Sequence, residues 1–156
     1  MSIEARIEEL GITLPEAFAP AGNYLPCVVS GNLVYTAGQV PRKDGDFAYR
    51  GVVGEELTIE DGQEAARLCC LAGLAAVKRE LGSLDRIRRV IKVNGFVRSA
   101  PGFADQPKVI NGASDLLVEI FGDLGRHARA AIGVTELPLN VGVEIDFIFE
   151  LRSVPG

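Results

Sequence analysis

Apolar positions recur at two different periods along this chain, and the switches between them mark its elements. Ile3, Ile7 and Leu10 fall at helical spacing before Gly11, which predicts a short amphipathic helix over 3–10. Residues 15–26, PEAFAPAGNYLP, carry too much Pro and Gly for either period and read as a loop or extended arm. CVVSGNLVYTAGQVP (27–41) reads as two short strands around a Gly31-Asn32 turn, and RKDGD (42–46) as a second turn. The helical period then returns over about 59–81. Thr58 and Asp61 form a capping pair, and Ala65, Leu68, Cys69, Ala72, Ala76 and Val77 share one broad apolar face. Gly82 supplies the stop.

RIRRVIKVNGFVR (86–98) is a strand by its β-branched content and partial alternation. Its basic residues suit a solvated edge. After the loop SAPGFADQP, Pro107 suits the first turn of a second long helix, 107–121, with Val109, Ala113, Leu116, Leu117 and Ile120 as its stripe. Two strands joined near Leu137-Pro138 close the chain. In the first, Ala130, Ile132 and Val134 share one face, and Arg129, Ala131 and Gly133 the other. In the second, Val143, Ile145, Phe147 and Phe149 alternate with Glu144, Asp146, Ile148 and Glu150. If the more apolar face of each strand meets the helices, Arg129 and Glu144 both point away from them. The order predicts an α+β fold with two main helices on one face of a mixed sheet. The second face, with Ala131, Gly133 and Ile148 among a few charges, is too apolar to be freely solvated, and a homo-oligomer would cover it.

Composition narrows the classes of function. The length of 156 residues suits one domain over 1–156, and 47% hydrophobic residues exclude a disordered chain. A net charge of −5 argues against a nucleic-acid partner, since phosphate binders present a basic face. The acidic start, MSIEARIEELGI, has no apolar core of a signal peptide, and no apolar run approaches a membrane span, so no membrane partner is expected. Cys27, Cys69 and Cys70 make no disulfide framework; they read as buried, reduced thiols, consistent with a cytoplasmic protein.

Chemistry is sparse. The single histidine, His127, rules out sites that need two and reads as a loop residue beside Arg126 and Arg129. No metal site, phosphate-cradling glycine loop, dinucleotide fingerprint or nucleophile elbow is present. Arg129 and Glu144 remain, close to small residues. From the residues alone two readings stand: a pocket in which Arg129 grips a carboxylate while Glu144 moves a proton, and a solvated or interfacial ion pair.

NLVYTAGQVP (32–41), VIKVNGFVR (90–98) and ARAAIGVTELPLNVGVEIDFI (128–148) together resemble the RidA/YjgF family. The resemblance runs from about Ala19 to Leu151, and residues 1–14 add a helix to it. It implies a chorismate-mutase-like fold: a six-stranded mixed sheet, two main helices on one face, and a barrel-like homotrimer with clefts between subunits. It implies hydrolysis of reactive enamines and imines of the 2-aminoacrylate type to 2-oxo acids and ammonia, a 2-iminobutanoate/2-iminopropanoate deaminase activity without cofactor. By position, Arg129 would hold the substrate carboxylate and Glu144 would orient water or carry a proton. Tyr24, Gly38, Asn111 and the backbone N–H of Ala131 would complete the binding set. Asn111 lies off its helix's core stripe and so could face a partner subunit. Ala37 and Ala131 stand where many members carry Ser and Cys. A non-catalytic, regulatory trimer that binds small carboxylates is the main alternative, and an endoribonuclease the third. Arg129 and Glu144 are too offset within one hairpin for direct contact, so a neighbouring chain would complete the site.

Overall fold

Two long helices lie across a twisted sheet whose strands come from both ends of the chain; the structure, a computed structural model, describes residues 2–153. Helix α1 spans Ile3–Glu9, α2 Ile59–Leu81 and α3 Gln106–Phe121. The strands are β1 (Cys27–Ser30), β2 (Leu33–Thr36), β3 (Arg42–Lys43), β4 (Asp46–Phe47), β5 (Ile87–Arg98), β6 (Ala128–Val134) and β7 (Val143–Leu151).

Each helix is bounded as its sequence dictates. Thr58 and Asp61 exchange side-chain-to-backbone hydrogen bonds at the start of α2, a full capping box. Gly82, at φ 83°, turns the chain out of the helix in the left-handed conformation that lacks a steric penalty only for glycine. Pro107 lies in the first turn of α3. The buried surface of α2 is wider than one stripe: Ala66, Cys70, Leu71, Leu74 and Ala75 are buried with Ala65, Cys69, Ala76 and Val77. The sheet covers one side of α2 and α3 covers another, which is why the helix is so rich in alanine. Helix α1 closes one end of this layer. The Glu4 carboxylate accepts the Leu84 N–H at 3.0 Å and pairs with Lys78 at 2.8 Å, and Ile7 enters the core.

The main sheet has five strands in the order β1-β2-β7-β5-β6, with β6 parallel to β5 and the other neighbours antiparallel. The expected six-stranded sheet is not formed. The chain after β2 rejoins β7 only at the Gln39–Ile145 bridge, and Pro41, with no N–H to donate, cannot extend it. β3 and β4 then pair with each other as a separate hairpin. Ile87–Ile91 of β5 precede the first β6 pairing at Lys92, so this end is an edge on which Arg86 and Arg88 are exposed, as the sequence suggests, whereas Arg89 is half-buried and donates to the Arg126 carbonyl at 3.0 Å.

Val143, Ile145, Phe147 and Phe149 of β7 meet the helices together with Val90, Val93 and Val97 of β5. On β6 the faces are the reverse of the expectation. The register places Arg129 beside Val93 and Phe147, on the helix side, whereas Ile132 stands beside Phe96 and Glu144 on the open side and is 48% exposed. The reason is space. Helix α3 passes so close to β6 that a Cβ on Gly133 would lie 2.7 Å from the Gln106 side chain, and Ala131 already packs on the core. Small residues form the floor beneath the helix, and the large apolar residue goes to the uncovered side. The open face therefore carries Tyr35, Phe96, Ile132 and Ile148 among polar groups, rather than Ala131 and Gly133.

Candidate functional site

Arg129 is the best-anchored cation on the helix side of β6. Its Nη1 donates to Asn111 Oδ1 at 2.8 Å and to Ser114 Oγ at 3.1 Å, and its Nη2 donates to the Pro107 carbonyl at 3.3 Å. All three acceptors are neutral, and no carboxylate pairs with Arg129 among the described residues. The anchors fix the guanidinium without spending its charge, and Nε and part of the Nη2 edge remain available to an anion. Asn111 thus turns toward Arg129 of its own chain.

Beneath the arginine lies a relay that the sequence reading did not anticipate. His127 Nδ1 donates to the Gly125 carbonyl at 2.6 Å, which leaves Nε2 bare to accept the Ser114 hydroxyl proton at 2.9 Å. Ser114 in turn accepts from Arg129. His127 does sit in the loop before β6, yet it is a structural part of the arginine's seat. Burial, and then the nearby Arg129 charge, hold its pKa below the ordinary histidine value, which keeps the accepting form. Both signals were available. Ser114 follows Asn111 by one helical step of three, and His127 precedes Arg129 by two along an extended chain, so each pair shares a face.

Glu144 belongs to a second locus. It lines a cavity of about 400 Å³ together with Tyr24, Gly38 and residues of the Pro-rich arm. A β-bulge makes the approach. From Tyr35 to Gln39 the chain takes four steps while β7 takes three from Ile148 to Ile145, and the Thr36 Oγ1 accepts the Phe147 N–H at 3.0 Å where the backbone has swung away. The bulge lowers Gly38 onto the carboxyl group, so that a Cβ there would stand 3.0 Å from Glu144 Oε2. Burial, and then Asp146, push the Glu144 pKa above the usual carboxylate value.

The structure thus sorts the six anticipated residues into two groups. Arg129, Asn111 and Ala131 cluster under α3; Tyr24, Gly38 and Glu144 share the cavity. The groups lie on opposite faces of one sheet, because Arg129 falls in the Val93–Phe147 row and Glu144 in the Phe96 row. The expectation that both point away from the helices is corrected for Arg129.

The cysteines supply no nucleophile. Burial pushes the Cys27 and Cys70 thiols up to about 12, and Cys69 is also raised and fully buried. Among the described residues no three metal-ligating side chains gather, and no helix is long and apolar enough to cross a membrane.

A five-stranded mixed sheet under two helices, with an anchored arginine on one face and a half-buried glutamate on the other, defines a class of small α+β proteins. Residues 4–151 match the family described as "YjgF/chorismate mutase-like, putative endoribonuclease", and the chain belongs to that RidA/YjgF family. The solved structure of Atu1372, a protein of unknown function from Agrobacterium tumefaciens, superposes with a TM-score of 0.87 at 50% identity, covering 96% of this chain and 92% of that one. Protein TCP17 of Trypanosoma cruzi is 45% identical over 152 residues, 97% of this chain and 95% of its own. A protein of Dermatophagoides farinae named 2-iminobutanoate/2-iminopropanoate deaminase is 32% identical over 137 residues, covering 88% of this chain and 92% of its own.

Proposed function

We propose that this protein hydrolyses reactive enamines and imines of small amino acids to 2-oxo acids and ammonia, as a homotrimer with its sites between subunits. The observation that carries the reading is the seat of Arg129: a guanidinium fixed by three neutral oxygens and lacking a carboxylate partner among the described residues. Such a group is built to take a carboxylate in two parallel hydrogen bonds. The deaminase named among the relatives supports the class of substrate.

The two half-sites support the assembly. A neighbour seated on the open sheet face would cover Tyr35, Phe96, Ile132 and Ile148, and would bring one chain's Arg129 toward another's Glu144. In the site so formed, Arg129 holds the substrate carboxylate and the Ala131 N–H stands beside it. Glu144, whose surroundings favour the protonated form, gives a proton to the enamine carbon and converts it to the iminium, the protonated imine. It then takes a proton from water as the oxygen adds to the C=N carbon. That proton passes to nitrogen, the C–N bond breaks and ammonia leaves, and the hydroxyl returns its proton to Glu144 as the carbonyl forms. Positioning supplies much of the rate, because the imine is already electrophilic.

A second reading, a trimer that binds 2-oxo acids without turnover, is favoured by the lack of a polar side chain at Ala37 and Ala131. Ribonuclease action fits less well. The chain is acidic, and both ring nitrogens of its single histidine are engaged internally.

The test couples the protein to a pyridoxal-phosphate dehydratase that releases 2-aminoacrylate. Faster 2-oxo acid appearance that is lost in Arg129→Ala supports the hydrolase. No acceleration, together with 2-oxo acid binding that Arg129→Ala abolishes, supports the binding module instead. A stable monomer by light scattering at micromolar concentration overturns the shared site.

A further inference from the structure

The chemistry above leaves one cation of the Glu144 cavity unused. Arg42, the first residue of β3, lines the same cavity of about 400 Å³. Its guanidinium lies 3.7 Å from the centre of the Phe18 ring and 4.3 Å from that of Phe47. The two rings reach it from different directions. Phe47 is its cross-strand partner on β4, and Phe18 comes from the arm, which has no regular structure of its own. Arg50 and Arg98 pair with Asp46 and Glu136, but Arg42 has neither a carboxylate partner nor a hydrogen-bond acceptor among the described residues.

This geometry selects a partner. Aromatic rings attract a guanidinium through its flat faces and accept none of its in-plane N–H donors. Stacking therefore fixes the plane of Arg42 and leaves its donor edge to be satisfied by something else. In a cavity walled by Phe18, Tyr24, Phe47 and prolines, an anion meets that edge more strongly than it would in water. Glu16 and Glu144 line the same cavity and neither forms an ion pair with Arg42, so the cation is not neutralised from within. Size points the same way. At roughly 30 Å³ per water-sized group the cavity holds about a dozen heavy atoms, about twice the content of a three-carbon enamine acid.

We propose that Arg42 is a second anion clamp and that the preferred substrate is a dianion, the imine of an amino acid whose side chain ends in a carboxylate. This rests on the hydrolase reading of the Glu144 cavity and narrows its substrate class. Arg129 takes the carboxylate next to the reacting carbon, and Arg42 takes the distal one. The hydrolysis is unchanged: water adds, ammonia leaves, and the product is a 2-oxo dicarboxylic acid. The apolar walls hold the methylene chain between the charges.

The test generates imines in place with amino-acid oxidases, from glutamate for the dicarboxylic substrate and from 2-aminobutanoate for the monocarboxylic one. The readout is the ratio of the two kcat/KM values. Native protein favours the dicarboxylic imine, Arg42→Gln lowers the ratio about ten- to a hundredfold, and Arg42→Lys recovers part of it, since the ammonium keeps the charge but not the fork. A ratio that Arg42→Gln leaves unmoved overturns the clamp while the hydrolase stands. If the native protein hydrolyses neither imine, the hydrolase fails and binding decides the clamp. Calorimetric titration with 2-oxoglutarate and 2-oxobutanoate then supports it if the dicarboxylate binds tighter and Arg42→Gln erases the difference, and overturns it if the two bind alike. Should the Gln variant unfold, the Lys variant alone must still shift the ratio.

Discussion

Gly112→Ala tests how the fold holds the arginine seat. Gly112 lies on α3 where that helix crosses α2, and a Cβ there would stand 2.0 Å from the Gln63 backbone carbonyl oxygen. Ordinary contact begins at 3.4 Å, so the helices must part by up to the difference, 1.4 Å, because a helix carbonyl cannot rotate aside. Alanine gains about 1 kcal/mol of helix propensity over glycine. Overpacking against backbone costs about 3 kcal/mol, which leaves a net loss of about 2 kcal/mol. For a chain of this size that lowers Tm by about 4–8 °C. The paired control is Gly62→Ala on the facing helix. Its Cβ would meet the buried Val109 side chain at 2.9 Å, a shallower contact than the one Gly112 would make and with a side chain rather than backbone. The propensity gain is the same and the clash softer, so Gly62→Ala should lower Tm less than Gly112→Ala does. Thermal unfolding by circular dichroism measures both. Because Asn111 and Ser114 flank the contact and bond Arg129, Gly112→Ala should also weaken 2-oxo acid binding severalfold. A Gly112→Ala protein that melts at or above the wild type, or together with Gly62→Ala, would refute the close-approach argument.

Two further outcomes follow from the site. His127 has a folded pKa below its ordinary value of 6.5, so the unfolded chain binds the proton more readily. The stability it contributes is present above 6.5 and lost as pH falls through the lowered value. Wild type should therefore lose more Tm between pH 7.5 and pH 5 than His127→Gln, and equal losses would remove the imidazole from the seat. Gly38→Ala sets a methyl group 3.0 Å from the movable end of Glu144 at a residue with no left-handed φ. Tm should stay within about 2 °C while hydrolysis falls about ten- to a hundredfold, because displacement by a fraction of an ångström matters to chemistry more than to packing; a matched fall in both would count against Gly38 as part of the site.

Local pattern was enough for the helices, the hairpin at Gly31 and the long strands, because caps, glycines and periodicity act within a few residues. It was not enough for β6. Alternation divides Arg129 from Ile132 but does not say which face is covered; that depends on α3, whose closeness shows only as the smallness of Ala131 and Gly133. The sixth strand failed for a similar reason, since the Gln39 bridge and Pro41 are legible as a stop only once β7 is beside them. Arg129 and Glu144 were legible as candidates through the family's motifs, and Asn111 found its partner within its own chain. Phe18 and Arg42 share no local signal: a loop residue and a hairpin residue 24 positions apart meet only because the arm folds back over the cavity.

If the subunits assemble as proposed, the placement of Arg129 and Glu144 back to back across one sheet couples proton uptake to subunit association. Inside a single chain the Glu144 carboxyl answers to burial and to Asp146, with no contribution from Arg129. In the proposed trimer a neighbour's guanidinium favours the ionised form of that carboxyl until a substrate carboxylate neutralises it and restores the protonated acid. Closing each interface then expels a proton from any Glu144 that carried one, and acid opposes closure. The population of assembled protein becomes a function of pH, and the acidity of the surroundings is registered in quaternary structure before any substrate arrives.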